Sequence, residues 1–287
     1  MKYLIFGYKF SIKYLSVPIL IASLTTITHN LYANNIFATT ATPGVHFSQQ
    51  SRHQLSSLQR NKLISSLQRI TGWQQLRIDA TNRLMLEHPT KFSGGSVWAR
   101  RVLNEIFRSG HRFVIESHGS SPTVNFGQLD EGTKYADDRS GVKLDIYHLR
   151  LDFDDFVNMQ AGPEVRVAFD EGFTFLHELL HGLGLQDTSI PEEIGDCERI
   201  VNQMRAELGL PQRDQYIGDV LQITPRVKAV RLRFKSQTAD KKKTTRWKKH
   251  YLFFALNSGY EPDWNPRQAP SSLSPAQKEK LLTSLSE

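Results

Sequence analysis

Cysteine is almost missing from this chain: Cys197 is the single one in 287 residues. No intrachain disulfide can brace the fold, so stability has to come from a packed core or a bound ion. Acid is missing from the N-terminal part, where no aspartate or glutamate precedes Asp79. Long apolar runs are missing too. The most apolar stretch, Tyr14-Leu-Ser-Val-Pro-Ile-Leu-Ile-Ala-Ser-Leu24, is interrupted by Ser and Pro and falls short of the roughly 20 residues a spanning helix needs. With Lys2, Lys9 and Lys13 ahead of it, this run has the layout of a Sec-type signal peptide, expected over residues 1–33. Ala33 and Ala41 are the small-residue cleavage candidates, and an uncleaved interfacial anchor is the alternative. Export from a bacterium, to the periplasm or beyond, is the expected location. The sequence also lacks internal repeats.

What is present suffices for a core, since 39% of residues are hydrophobic. The net charge of +7 is uneven. Between Arg226 and Lys249 eleven basic residues face Asp240 alone, which makes this stretch +10 and the remainder −3. Such a stripe can hold an acidic partner or an anionic surface, although a charge run is more often a solvated face. No sequence-specific nucleic-acid contact is expected, and a monomer is.

Apolar spacing outlines an α+β domain over 46–220. Leu55, Leu58, Leu63, Ile64, Leu67 and Ile70 predict a helix from Arg52 to Ile70, stopped by Thr71-Gly72. Two short strands follow, at 76–79 and 82–86, and then a helix from Ser96 to Arg108. Strand-like pieces come at 111–116, 123–126 and 142–153, the last alternating through Val142, Leu144, Ile146 and His148, as a half-covered strand does. They read as a small mixed or antiparallel sheet, a meander. A long helix is expected from about Pro163 to His181, and another with Ile194, Cys197, Val201, Met204 and Leu208 on one face, ending at Gly209-Leu-Pro211. Residues 221–257 read as a basic β-hairpin appended to the core. Residues 258–287 read as a polar, partly disordered tail in which 275–285 can be helical.

The chemistry is concentrated in Phe173-Thr-Phe-Leu-His-Glu-Leu-Leu-His-Gly-Leu-Gly-Leu-Gln-Asp187. Side chains four apart on a helix lie one turn above each other, about 5–6 Å apart at Cβ, so His177 and His181 form a two-imidazole clamp. Zinc takes neutral imidazoles, and a catalytic zinc keeps one of its four positions for water. Glu178, next to the first histidine, is placed to take a proton from that water, the division of labour in His-Glu-x-x-His. Phe173, Phe175, Leu176, Leu179, Leu180 and Leu183 make the segment apolar nearly all round, so the helix is expected to be buried. Buried histidines and a buried glutamate need partners, and a metal ion satisfies all three.

Two residues can complete the clamp. Asp187 lies six residues after His181 with Gly184 between them, in the His-Glu-x-x-His-x-x-Gly-x-x-Asp spacing of metzincin variants. Glu198 lies on the next predicted helix at gluzincin-like spacing, with Asn202 one turn beyond it to orient a histidine and Gly195 to let the two helices approach. This second-ligand logic favours Glu198 and keeps Asp187 as the alternative. The plain alternatives are a loop cap for Asp187 and a salt bridge to Arg205 for Glu198.

After the His-Glu-x-x-His helix, the block Asn202-Gln-Met-Arg-Ala-Glu-Leu-Gly-Leu-Pro-Gln-Arg-Asp-Gln-Tyr216 resembles the Asn-x-x-Arg-x-Glu-Leu-Gly-Leu-Pro-x-Arg-x-x-Tyr block of the NleD-like zinc metallopeptidases, a group of bacterial effectors. The resemblance covers about 173–216. It implies a zincin fold, zinc-dependent endopeptidase activity on a protein or peptide, and metal and base roles for His177, His181 and Glu178. Arg213 and Tyr216 can stabilise an oxyanion opposite the metal, or serve only structure by capping carbonyls and packing on the core. Two readings compete with a peptidase: a non-catalytic, zinc-stabilised envelope protein, and a basic surface-binding module governed by the lysine-rich stretch.

Overall fold

The computed structural model describes residues 42–119, 124–137, 142–190, 192–224, 227–239, 245–256 and 274–286. The expected signal segment at 1–33 lies outside them, as do 240–244 in the basic stretch and 257–273 in the tail. Among the described residues no helix is long and apolar enough to cross a membrane.

A four-stranded sheet carries the site, ordered β1 (Gly44–Phe47), β4 (Arg112–Ser117), β6 (Val142–Leu151), β5 (Gly127–Asp137). It is not the expected meander. β1, β4 and β6 run parallel, and only the edge strand β5 is antiparallel to its neighbour. A parallel pair needs a long crossover. Here β1 and β4 are joined through α1 (Ser57–Thr71), the small β2–β3 hairpin (Leu76–Ile78, Leu84–Leu86) and α2 (Val97–Arg108). Alternation along 142–148 reports a wet face and a dry face but not strand direction, which is why the sequence pattern did not separate the two topologies. The strand expected at 123–126 starts instead at Gly127. β1 is four residues long and all buried, too short to register as a pattern.

Helix starts follow capping side chains. Ser56 accepts from the Gln59 N–H while Gln59 Oε1 accepts from the Ser56 N–H, so α1 begins at Ser57 rather than Arg52. The helix expected from Pro163 to His181 is broken into α4 (Pro163–Ala168) and α5 (Glu171–Gly182). Asp170 ends one and starts the other: its carboxylate accepts from the Gly172 and Phe173 N–H groups, both at 3.1 Å. Ser66 and Arg69 of α1 hold the same carboxylate at 2.5 and 2.6 Å. A side chain satisfying helix-start donors competes with continuing the previous helix.

The sheet's covered face packs on α1, α2, α5 and α6 (Asp196–Glu207) through one cluster that includes Leu63, Leu103, Phe113, Leu149, Phe175 and Met204, each under a tenth exposed. A second sheet holds β10 (Val227–Ala239) and β11 (Thr245–Leu256) as its centre, with β7 (Gln160–Ala161), β8 (Gln212–Arg213) and β9 (Asp219–Thr224) along its sides. The basic hairpin is therefore built into the fold. Its inner face, Val230, Leu232, Phe234, Leu252 and Phe254, closes a second core with Phe156 and Val165 of α3 (Phe153–Asn158) and α4, and with Phe169 just after α4. On its outer face Arg231 pairs with Asp219 at 2.9 Å and Lys235 with Asp214 at 2.7 Å. The tail ends in α7 (Pro275–Ser286), whose Leu285 is fully buried and whose Leu285 carbonyl accepts from Arg101 at 2.8 Å.

Candidate metal centre

α5 presents its motif as the four-residue spacing requires. His177, Glu178 and His181 are all buried, and the two imidazole centres lie 5.1 Å apart. The chain then reverses. Gly184 adopts φ +87°, a left-handed turn that an L side chain resists, and its N–H donates to the His181 carbonyl at 2.8 Å. The turn brings the Leu185 carbonyl to 3.0 Å from His181 Nδ1. A carbonyl only accepts, so Nδ1 carries the proton and Nε2 of the neutral ring keeps its lone pair. Two residues on, Asp187 Oδ2 lies 3.0 Å from that Nε2 and 3.2 Å from His177 Nε2.

These positions favour Asp187, the alternative, over Glu198 as the carboxylate that meets both imidazole Nε2 atoms. Glu198 Oε2 lies 3.3 Å from His177 Nδ1, the nitrogen on the far side of the ring, and slightly off the line of a well-formed hydrogen bond. It is claimed there by Arg205, which reaches Oε1, and by Arg213 at 3.4 Å from Oε2. Glu198 thus orients a histidine from behind and neutralises buried guanidinium groups. Asn202 does not touch a histidine either. It donates to the Arg213 carbonyl and accepts from the Arg213 N–H, both at 2.8 Å, pinning β8. Gly195 permits a close approach, but to a different neighbour: a Cβ there would meet Asp187 Cα at 2.5 Å.

Arg213 is likewise drawn inward, donating to Glu198 and to the carbonyls of Gln215 (3.1 Å) and Tyr216, so it braces the centre from the inner end of the cleft. Tyr216 stacks parallel on His177, with ring centres 5.9 Å apart, and its hydroxyl donates to Asp187 Oδ2.

The charges show what the cluster lacks. Burial depresses the His177 imidazole, but Asp187 and Glu198 outweigh burial and hold it at about 10. His181 is raised too, burial again opposing and Asp187 prevailing. Asp187 is held far below the usual carboxylate range against burial, by both imidazoles, and Glu198 likewise, chiefly by Arg205 and Arg213. Glu178 moves the other way, pushed up by burial. Arg205 and Arg213 face Glu198, so the charge left for the imidazoles or a cation to balance is chiefly that of Asp187.

Among the described residues two groups are placed to hold a cation, His177 with Glu178 and His181, and His181 with Asp187 and Cys197. Around a tetrahedral zinc with bonds of about 2.0–2.1 Å, neighbouring ligand atoms are about 3.3 Å apart, close to the spacings from Asp187 Oδ2 to the two Nε2 atoms. Asp187 Oδ1 is buried without a hydrogen-bond partner, the state of an oxygen left over for an ion. Cys197 also lies within ligand range of His181 and Asp187, but its Sγ is 3.6 Å from the already engaged Nδ1, and burial pushes its thiol pKa far up.

Two contributors at the site were not read from the sequence. β5 is the sheet edge beside α5, and the Leu129 N–H supports the Glu178 carboxylate. Gly127 makes that contact close: a Cβ there would sit 2.6 Å from Thr174 Cγ2 and 3.0 Å from Glu178 Cγ. A glycine opening a strand is the signal that marks such an approach. His148 of β6 pairs with Glu116 at 3.1 Å, away from the centre. No protein-family model, curated protein or solved structure matches this chain.

Proposed function

We propose that the chain is a zinc-dependent metallopeptidase of the zincin kind, with His177, His181 and Asp187 as the metal-holding side chains and Glu178 as general base. One observation carries the reading: two imidazole Nε2 atoms and the Asp187 carboxylate converge at 3.0 and 3.2 Å beside a buried glutamate. A bound zinc ion supplies the Lewis acidity that makes water nucleophilic near neutral pH. Glu178 takes the proton of the attacking water and returns it to the leaving amine. The Leu129 N–H favours the charged form of that carboxyl against the larger, opposing effect of burial. Glu198 and the Leu185 carbonyl stand behind the rings, and the Tyr216 hydroxyl donates to the Asp187 carboxylate and steadies it.

A polypeptide substrate is supported by β5. Among the described residues it pairs only with β6, so its outer edge, next to Glu178, can add an extended peptide strand. The resemblance of Asn202 to Tyr216 to the NleD-like block points the same way, and export through residues 1–33 belongs to this reading.

The test is metal content together with turnover. Purified protein is expected to hold one zinc per chain. Glu178→Gln is expected to keep the metal and the fold while hydrolysis of a mixed peptide library falls by about 10²–10⁴-fold. Equal hydrolysis by that variant would end the peptidase reading.

A further inference from the structure

The cleft beside Glu178 does not stop at the histidines. Its cavity volume is about 120 Å³, and past Gly127 and Thr174 its walls become Val124, Phe126, Phe169, Leu232 and Phe254. Phe126 stands edge-on to Phe169 at 4.9 Å and to Phe254 at 5.3 Å between ring centres, so the recess has a fixed aromatic lining. Leu232 and Phe254 come from β10 and β11. Their register, with Leu232 opposite Leu252 and Val230 opposite Phe254, turns both to the inner face of the hairpin.

The charges at the inner end of the recess are already committed. Arg205 donates to Glu198, to Asn202 at 2.8 Å and to the Ala168 carbonyl at 2.6 Å. Arg213 is held by Glu198 and by the carbonyls of Gln215 and Tyr216. Arg205 and Arg213 share the single Glu198 carboxylate at this inner end, while the rest of the recess is walled by aromatic and aliphatic carbon that favours an apolar occupant.

We infer that this recess is a specificity pocket for one large apolar side chain, aromatic or leucine-sized, of a polypeptide whose scissile bond lies at Glu178. The inference rests on the peptidase reading and adds which substrates are chosen. A peptide paired along β5 alternates its side chains, so every second residue points to one side of the strand, and one of these enters the recess. The hairpin, whose outer face is basic, thereby walls the substrate site with its inner face. Burying a phenylalanine in place of an alanine favours binding by about 30-fold or more.

The experiment uses peptides varied at one position, in two arms. The wild-type protein loaded with zinc is assayed for cleavage by mass spectrometry, and the Glu178→Gln protein is assayed for binding of the same peptides by fluorescence anisotropy. The expected result is cleavage beside Phe, Leu or Met at least about 30-fold over Ala, with the same order in binding. Leu232→Trp, which fills the recess, is expected to move the preference to small side chains. Val124→Phe narrows the same space from another wall and serves if the first variant fails to fold. Cleavage without side-chain preference, a preference for acidic residues, or an unchanged preference in the folded filling variants would overturn the pocket and leave the peptidase reading standing. Graded binding by Glu178→Gln without any cleavage by the wild type would uphold the pocket and remove the peptidase reading. Neither cleavage nor graded binding would overturn both.

Discussion

A methyl group on Gly195 would lie 2.5 Å from Asp187 Cα and 2.8 Å from its carbonyl carbon, so the first residue before α6 is pressed on the backbone that carries the aspartate. Backbone cannot swing aside as a flexible side chain can, and Gly195→Ala must displace the loop. Zinc affinity is expected to fall on the order of 10–100-fold, the range seen when a ligand's support is disturbed. Competition against a chelator measures it. Unchanged affinity would mean that Asp187 does not hold the ion.

Asp187 and Glu198 are expected to fail in different ways. Asp187→Ala should lose the metal while the fold survives, because the aspartate's partners are the ligand rings and Tyr216. Glu198→Ala leaves Arg205 and Arg213, both under a tenth exposed, without their shared counter-ion. Breaking a buried pair from one side costs about 3–5 kcal/mol, so urea unfolding of the metal-free protein should show the larger loss here. Metal stoichiometry after dialysis completes the comparison, and the reverse pattern would return Glu198 to the ligand set.

Asp170 starts α5 and ties it to α1 through Ser66 and Arg69. Asp170→Ala is expected to cost about 1–2 kcal/mol from the cap alone. Asp170→Asn can still accept from the Gly172 and Phe173 N–H groups but loses the charge facing Arg69. Thermal melts should therefore rank wild type above Asn and Asn above Ala. An Ala variant as stable as wild type would show that packing alone starts the helix.

Burial raises the Asp155 carboxyl from its ordinary 3.8 to about 7, with Asp152 and Asp154 adding to it, although the Asn125 N–H at 2.7 Å opposes the shift. Between those values the folded chain keeps a proton that the unfolded chain has released. Stability from this group therefore falls as pH rises from about 4 to about 7 and stays low above that. Asp155→Asn keeps an oxygen for the Asn125 N–H and carries no charge. The variant is expected to be the more stable protein at pH 8, with the difference shrinking as pH is lowered to 4. Thermal melts across that range check it, and a pH-independent difference would refute it.

The helices were legible wherever an apolar stripe and a cap agree. Ser96 and the run to Arg108 show both, and α2 occupies Val97–Arg108 with Ser96 accepting the Ala99 N–H. The helix α5 was legible in its His-Glu-x-x-His spacing but not in its start. Asp170 opens the polar break Asp-Glu-Gly in the apolar pattern and caps the new helix, and Ser66 and Arg69, about a hundred residues earlier, hold its carboxylate. Strand order was not legible at all: β1 to β4 is a nonlocal parallel pairing, and local alternation carries no record of it.

By itself the sequence determined that His177 and His181 share a helix face with Glu178 beside them. That relation depends only on the pitch of an α-helix and holds in any tertiary setting. Which carboxylate meets the imidazole Nε2 atoms was decided by the folded chain. The left-handed turn at Gly184 steers Asp187 to the front of the rings, and the packing of α6 carries Glu198 to the back, where two buried arginines hold it. Sequence spacing allowed either residue, because the path of a loop and the seat of a helix are fixed by contacts between parts of the chain far apart in sequence.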